Sequence, residues 1–84
     1  MRIFELKQKE TINSCTCKSM GCPVDVEFDC KTGQITHLIV PGPGRFWGFF
    51  GRDCEFCIPW ECICQMGDDL ILVSIEEDKC LKKL

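Results

Sequence analysis

The sequence predicts a small all-β fold: a closed or nearly closed β-barrel of five to six short strands, with a short helical turn and a charged C-terminal tail. Three observations predict it. Short apolar runs alternate with glycine and proline turn signals along the chain. Several of those runs alternate apolar and polar residues with period two, the pattern of a half-buried strand. At 84 residues the chain has room for one domain, residues 1–84, with a modest core. Closing short strands into a barrel buries their common face and removes exposed edges.

The first run is TINSCTC, Thr11 to Cys17, which sets Ile12, Ser14 and Thr16 against Asn13, Cys15 and Cys17. KSMGCP follows as a turn marked by Gly21 and Pro23. In VDVEF, Val24, Val26 and Phe28 share one face, and Asp25 and Glu27 share the other. DCKTGQ, residues 29–34, is a hairpin turn in which Gly33 supplies a positive φ. QITHLIV, residues 34–40, is the third strand, and PGPG at 41–44 stops it because proline lacks a ladder amide. RFWGFFGRD is an aromatic loop and CEFCIPW the fourth strand. ECICQMGDD is a short turn or single helical turn, LILVSI the fifth strand, and EEDKCLKKL a tail of one or two helical turns.

Charge and cysteine content narrow the function classes. Thirteen acids against ten bases give a net charge of −3. The bases are scattered: Lys7, Lys9, Lys18, Lys31, Arg45 and Arg52 lie apart, and Lys79, Lys82 and Lys83 sit beside Glu76, Glu77 and Asp78. No phosphate-tracking stripe results, so no nucleic-acid partner is expected. The opening MRIFELKQKE has no apolar run of signal-peptide length, and LILV is far too short to span a bilayer, so no integral membrane segment is expected. Nine cysteines in such a chain would suit a secreted disulfide scaffold, but the odd count leaves a thiol over and no secretory signal is seen. A reducing cytoplasm, with thiols free or on a metal, is the expected setting.

VEFDCKTGQITHLIVPG, then IPW, a short polar turn and MGDDLILV, resembles the PRC-barrel domain in order and spacing. More narrowly, the chain resembles the YlmC/YmxH family of small sporulation-associated proteins, with Val26 to Gly33, Pro41 to Gly44 and Gly51 to Val73 as the most specific segments. The resemblance implies a compact β-barrel like those of the photosynthetic reaction-centre H subunit and a ribosome-maturation factor, where the domain docks or assembles. It implies no catalytic residues and no established biochemical role.

CEFCIPWECICQ has the look of paired metal ligands. Zinc needs sulfur or nitrogen donors converging within about 2.3 Å of the ion. Cys54 and Cys57 lie three apart on a strand and so point to opposite faces. Cys15 and Cys17 share a strand face about 6.5 Å apart, better suited to facing a partner strand than to chelating one ion. If zinc is bound, Cys15 and Cys17 with Cys62 and Cys64 are the expected donors. The plainer alternative is that the cysteines act as small buried hydrophobes and no cofactor is needed. His37 reads as a satisfied strand residue.

In RFWGFFGRD, Phe46, Trp47, Phe49 and Phe50 crowd between glycines and are flanked by Arg45 and Arg52. Aromatics beside arginine match interface anchors, while the competing reading folds the loop over the barrel mouth. No enzyme is expected. A Cys/His nucleophile would need His37 beside one thiol with an orienting group. Asp68 and Asp69 read as turn residues, and neither GPG nor GFFG has P-loop spacing. The expected function is protein interaction or assembly during sporulation, with a protein partner and self-association as a homodimer. The alternative is a cysteine-based zinc or redox sensor.

Overall fold

The computed structural model describes residues 1–42 and 54–83. The elements are α1 (Ile3–Leu6), β1 (Glu10–Asn13), β2 (Lys18–Gly21), β3 (Asp25–Phe28), β4 (Ile35–Pro41), β5 (Cys54–Pro59), a 3₁₀ turn (Trp60–Cys62), β6 (Ile63–Met66), β7 (Leu70–Val73), α2 (Glu77–Cys80) and β8 (Leu81–Lys83). They form two four-stranded sheets, ordered β2-β1-β7-β6 and β3-β4-β5-β8. Every pairing is antiparallel except β1 with β7. No helix among the described residues is long and apolar enough to cross a membrane.

The small all-β class forms, but not as a single closed ring. Among the described residues no strand pair joins the two sheets. Most strands are four residues long, and the β1–β2, β3–β4 and β6–β7 pairings each carry a register shift. Bulges redirect or end a ladder, and such short ladders run out before a ring can close.

The core lies between the sheets. Leu38, Val40, Phe56 and Ile58 project from alternate positions of β4 and β5, and cluster with Ile71 and Val73 of β7, Ile75 just after it and Leu6 of α1. CEFCIPW and LILVSI encode this period-two burial, whereas β4 buries Leu38, Ile39 and Val40 in succession. β1 departs from that rule. Its fully buried residues are Thr11 and Asn13, whereas Ile12 is only half-buried.

Asn13 is the polar hub. Its side-chain amide donates to Ile75 O at 3.1 Å and to Glu77 Oε2 at 3.0 Å. Its Oδ1 accepts from Cys15 N–H at 3.1 Å and from Ile75 N–H at 3.3 Å. β1 is thereby tied to the segment that follows β7. Lys9 does similar work nearby: its buried ammonium donates to Gly67 O and Asp68 O, each at 2.6 Å.

Several boundaries differ from the sequence reading, each for a local reason. TINSCTC is not one strand, because Asn13 O accepts from Thr16 N–H and Cys17 N–H and Cys17 takes φ +59°, which closes a turn. KSMG, read as a turn, is strand β2 on the far side of it. ECICQMGDD holds a 3₁₀ turn as expected, but its centre is strand β6. The tail makes one helical turn and then β8, paired to β5. DCKTGQ is the expected hairpin turn: Gly33 has φ +75°, and Asp29 accepts from Gly33 N–H through its carbonyl and from Lys31 N–H through its carboxylate. Phe28 was expected to face inward with Val26. The shift between Glu27 and Phe28 turns it out instead, 58% exposed.

The two buried polar residues of β1 should behave in opposite ways. Thr11 Oγ1 is buried without a hydrogen-bond partner, so Thr11→Val removes an unmet group without changing shape. It should raise stability by about 1 kcal/mol. Asn13→Ala strands the Ile75 and Cys15 backbone groups and should cost roughly 2–4 kcal/mol. Urea midpoints of the two variants against the parent check both signs.

Candidate functional site

The aromatic stretch with Arg45, Phe46, Trp47, Phe49, Phe50 and Arg52 lies outside the described residues. The cysteines expected to hold zinc are described, and all nine cysteines are free thiols. Cys15 Sγ lies 3.2 Å from Ser74 Oγ, Cys17 Sγ donates to Ser14 O at 3.9 Å, and Cys64 Sγ donates to Cys62 O at 3.8 Å. Cys62 packs against the core, whereas Cys64 is exposed at the register shift of β6. No three of these four thiols come together as a donor group. Cys15 and Cys17 belong to the turn after β1, and Cys64 sits at the bulge in β6.

A different set converges. Glu27, His37 and Cys57 bring one donor atom each within 4.8 Å of one another, the one such group of three among the described residues. They come from the adjacent strands β3, β4 and β5. Strand parity sends Val26, Leu38 and Ile58 into the core, so their neighbours Glu27, His37 and Cys57 sit on the outer face. Parity likewise separates Cys57 from Cys54, as the sequence reading required. Glu27 stands directly opposite His37, and Cys57 stands opposite Ile39, two residues farther along β4.

His37 Nδ1 is 3.3 Å from Glu27 Oε1, and Thr36 Oγ1 is 3.1 Å from the same nitrogen. Cys57 Sγ is 3.9 Å from Glu27 Oε1. Partial burial pushes the Cys57 thiol above its ordinary range, and the Glu27 carboxylate pushes it further, with Lys82 offsetting part of this. This is the reverse of what a nucleophile needs. In a catalytic relay the imidazole stands between thiol and carboxylate and stabilises the thiolate. Here one carboxylate oxygen faces both the imidazole and the thiol, so the three groups converge on a point.

The sequence reading treated Glu27 as solvent-facing and His37 as a satisfied strand residue, and it missed their meeting. Phe28 pairs with Ile35, so unbroken hairpin counting sets Glu27 opposite Thr36. The one-residue shift sets it opposite His37 and brings the imidazole onto the carboxylate's face. A bulge leaves little trace in composition. The only available signal was that VDVEF and QITHLIV form one hairpin with a charged outer row.

A raised thiol holds stability below its unfolded-state value and loses it as pH climbs through the folded one. Iodoacetamide should therefore label Cys57 more slowly in the folded protein than in urea at about pH 8. Glu27→Gln should speed that labelling by removing one cause of the shift. Peptide mass spectrometry of the Cys57 fragment measures both rates, and equal rates in parent and variant would exclude the Glu27 effect.

The chain is similar to a Bacillus subtilis (strain 168) protein named "Probable sporulation protein YlmC", 37% identical over 75 residues, covering 89% of this chain and 93% of the relative. It is also similar to the "Uncharacterized protein YmxH" of the same organism, 29% identical over 80 residues and 93% of each chain. An uncharacterized protein of Clostridium acetobutylicum is 29% identical over 72 residues, covering 86% of this chain and 82% of the relative. No family model matches the chain. With identity at this level running almost end to end through a chain of nearly the same length, the protein belongs to the YlmC/YmxH family.

Proposed function

We propose that this chain is a non-catalytic interaction module used in sporulation, acting in the cytoplasm, and that it self-associates through strand β6. The sporulation role rests on the name of the YlmC relative, which it matches along nearly its whole length. The raised Cys57 thiol, set against a carboxylate, favours a non-catalytic reading. The nine free thiols suit a reducing compartment.

The charge pattern of the terminal strands carries the structural part. Two open sheets leave β2, β6, β3 and β8 at their edges. An edge strand offers a row of backbone donors and acceptors to any extended segment, and charged residues discourage unwanted pairing. β2 carries Lys18, β3 carries Asp25 and Glu27, and β8 carries Lys82 and Lys83. β6, ICQM, carries no charge. Beside it Gln65, Gly67, Leu70 and Leu72 line a small depression, and Leu70 is 41% exposed. A second copy meeting β6 antiparallel about a two-fold axis would join two four-stranded sheets into one of eight.

Arg45, Phe46, Trp47, Phe49, Phe50 and Arg52 are the second proposed anchor, on composition alone. Light scattering on size-exclusion peaks separates the two surfaces. The parent should run as a dimer, and Gln65→Lys should shift it to monomer with an unchanged melting temperature, because like charges would face each other across the new pair. Trp47→Ala should weaken partner capture from sporulating cells more than it lowers melting temperature. A parent that stays monomeric at every concentration would refute assembly through β6, and a Trp47→Ala variant that loses only thermal stability would assign the aromatic stretch to folding.

A further inference from the structure

We propose that Glu27, His37 and Cys57 form a binding site for one divalent transition-metal ion of the zinc class, on the outer face of the β3-β4-β5 sheet. The geometry supports this independently of any role for β6. In tetrahedral coordination with ordinary Zn–N, Zn–O and Zn–S bonds, adjacent donors lie about 3.3 Å apart for nitrogen and oxygen and about 3.6 Å apart for sulfur and oxygen. The corresponding distances here are 3.3 Å between His37 Nδ1 and Glu27 Oε1, and 3.9 Å between Cys57 Sγ and Glu27 Oε1. All three donor atoms lie within 4.8 Å of one another. Of the two pairs that include Glu27, only the thiol–carboxylate contact would have to shorten on binding an ion, by a few tenths of an ångström.

The donors also suit one class of ion. Imidazole and thiolate favour zinc, cobalt or copper over magnesium and calcium, which take oxygen ligands. Each donor stands on a different strand of one hydrogen-bonded sheet, so the ladder fixes their spacing before an ion arrives. Side-chain exposures of 35% for His37 and 48% for Glu27 leave an approach from solvent. On binding, the Cys57 thiol releases its proton to water and becomes the thiolate ligand. His37 binds through Nδ1 as the neutral tautomer protonated on Nε2. Three protein ligands leave at least one coordination position for water or an exogenous ligand.

Among the described residues, Glu27 and Glu55 stand near Cys57 as negative neighbours and Lys82 as a positive one. The expected zinc ligands Cys15, Cys17, Cys62 and Cys64 have no such convergence. The site is thus assigned by the sheet register and not by the cysteine spacing.

Cobalt(II) titration of the reduced, metal-free, full-length protein tests the assignment. The parent should bind one Co(II) per chain and develop a thiolate-to-cobalt charge-transfer band, which Zn(II) then removes by displacement. Cys57→Ser, with its other eight cysteines intact, should lose the band, while Cys64→Ser should keep it. Glu27→Gln, a change at an exposed position, should weaken binding by more than the roughly tenfold expected from losing an outer-shell partner. Circular dichroism confirms that each variant is folded. If Cys57→Ser misfolds, Glu27→Gln decides: undiminished affinity overturns the proposal. So does a charge-transfer band that survives in folded Cys57→Ser, or a parent that binds no cobalt.

Discussion

The structure depends on the parallel pairing of β1 with β7, and on Asn13 at the end of that ladder. The two strands are far apart in sequence, and Asn13 reaches partners 62 and 64 residues away. Between them the chain has built β2, crossed to the other sheet for β3, β4 and β5, and returned for β6. After β7 it crosses again to finish with β8. Closing so long a loop costs entropy, although the cost grows only slowly with length. The compensating interactions are buried: four ladder pairs, the contacts of Ile71 and Val73, and the bonds of one carboxamide that satisfies both backbone groups of Ile75. A fold so dominated by non-local pairing belongs with the slower-folding topologies.

The parts legible in the sequence were those where one physical rule acted alone. The β3–β4 hairpin could be read because Gly33 adopts the left-handed conformation that the turn needs and because VDVEF alternates apolar with acidic residues. LILV could be read from its apolar run. What escaped were places where two rules competed. β1 buries threonine and asparagine and leaves isoleucine half out, so hydrophobic alternation assigns its faces wrongly. β2 and β6 are short edge strands whose glycine, cysteine and glutamine resemble a turn. β8 is two lysines and a leucine, held in place by β5 and not by any propensity of its own.

The candidate site escaped for a related reason. All three of its residues were visible as types, and two of them were set aside as ordinary strand positions. Their meeting depends on a one-residue offset between Glu27 and Phe28, which exchanges the face that His37 would occupy under simple counting. That same offset turns Phe28 outward. One bulge thus moves an aromatic out of the core and brings an imidazole to a carboxylate. No three of the thiols read as zinc donors form a group: Cys15 and Cys17 lie in the turn after β1, and Cys64 sits at the bulge in β6.

The junction between β4 and β5 has a further consequence. Pro41 pairs with Glu55, and Gly42 N–H donates to Cys54 O at 3.1 Å. A side chain at Gly42 would meet that same carbonyl at 2.6 Å, so only glycine lets the two backbones come so close. The chain therefore leaves and re-enters the sheet at neighbouring points, fastened on both sides of the gap. The β4–β5 ladder thereby sets where residues 43–53 start and finish, so a slip of one residue in that ladder would change the span they must bridge.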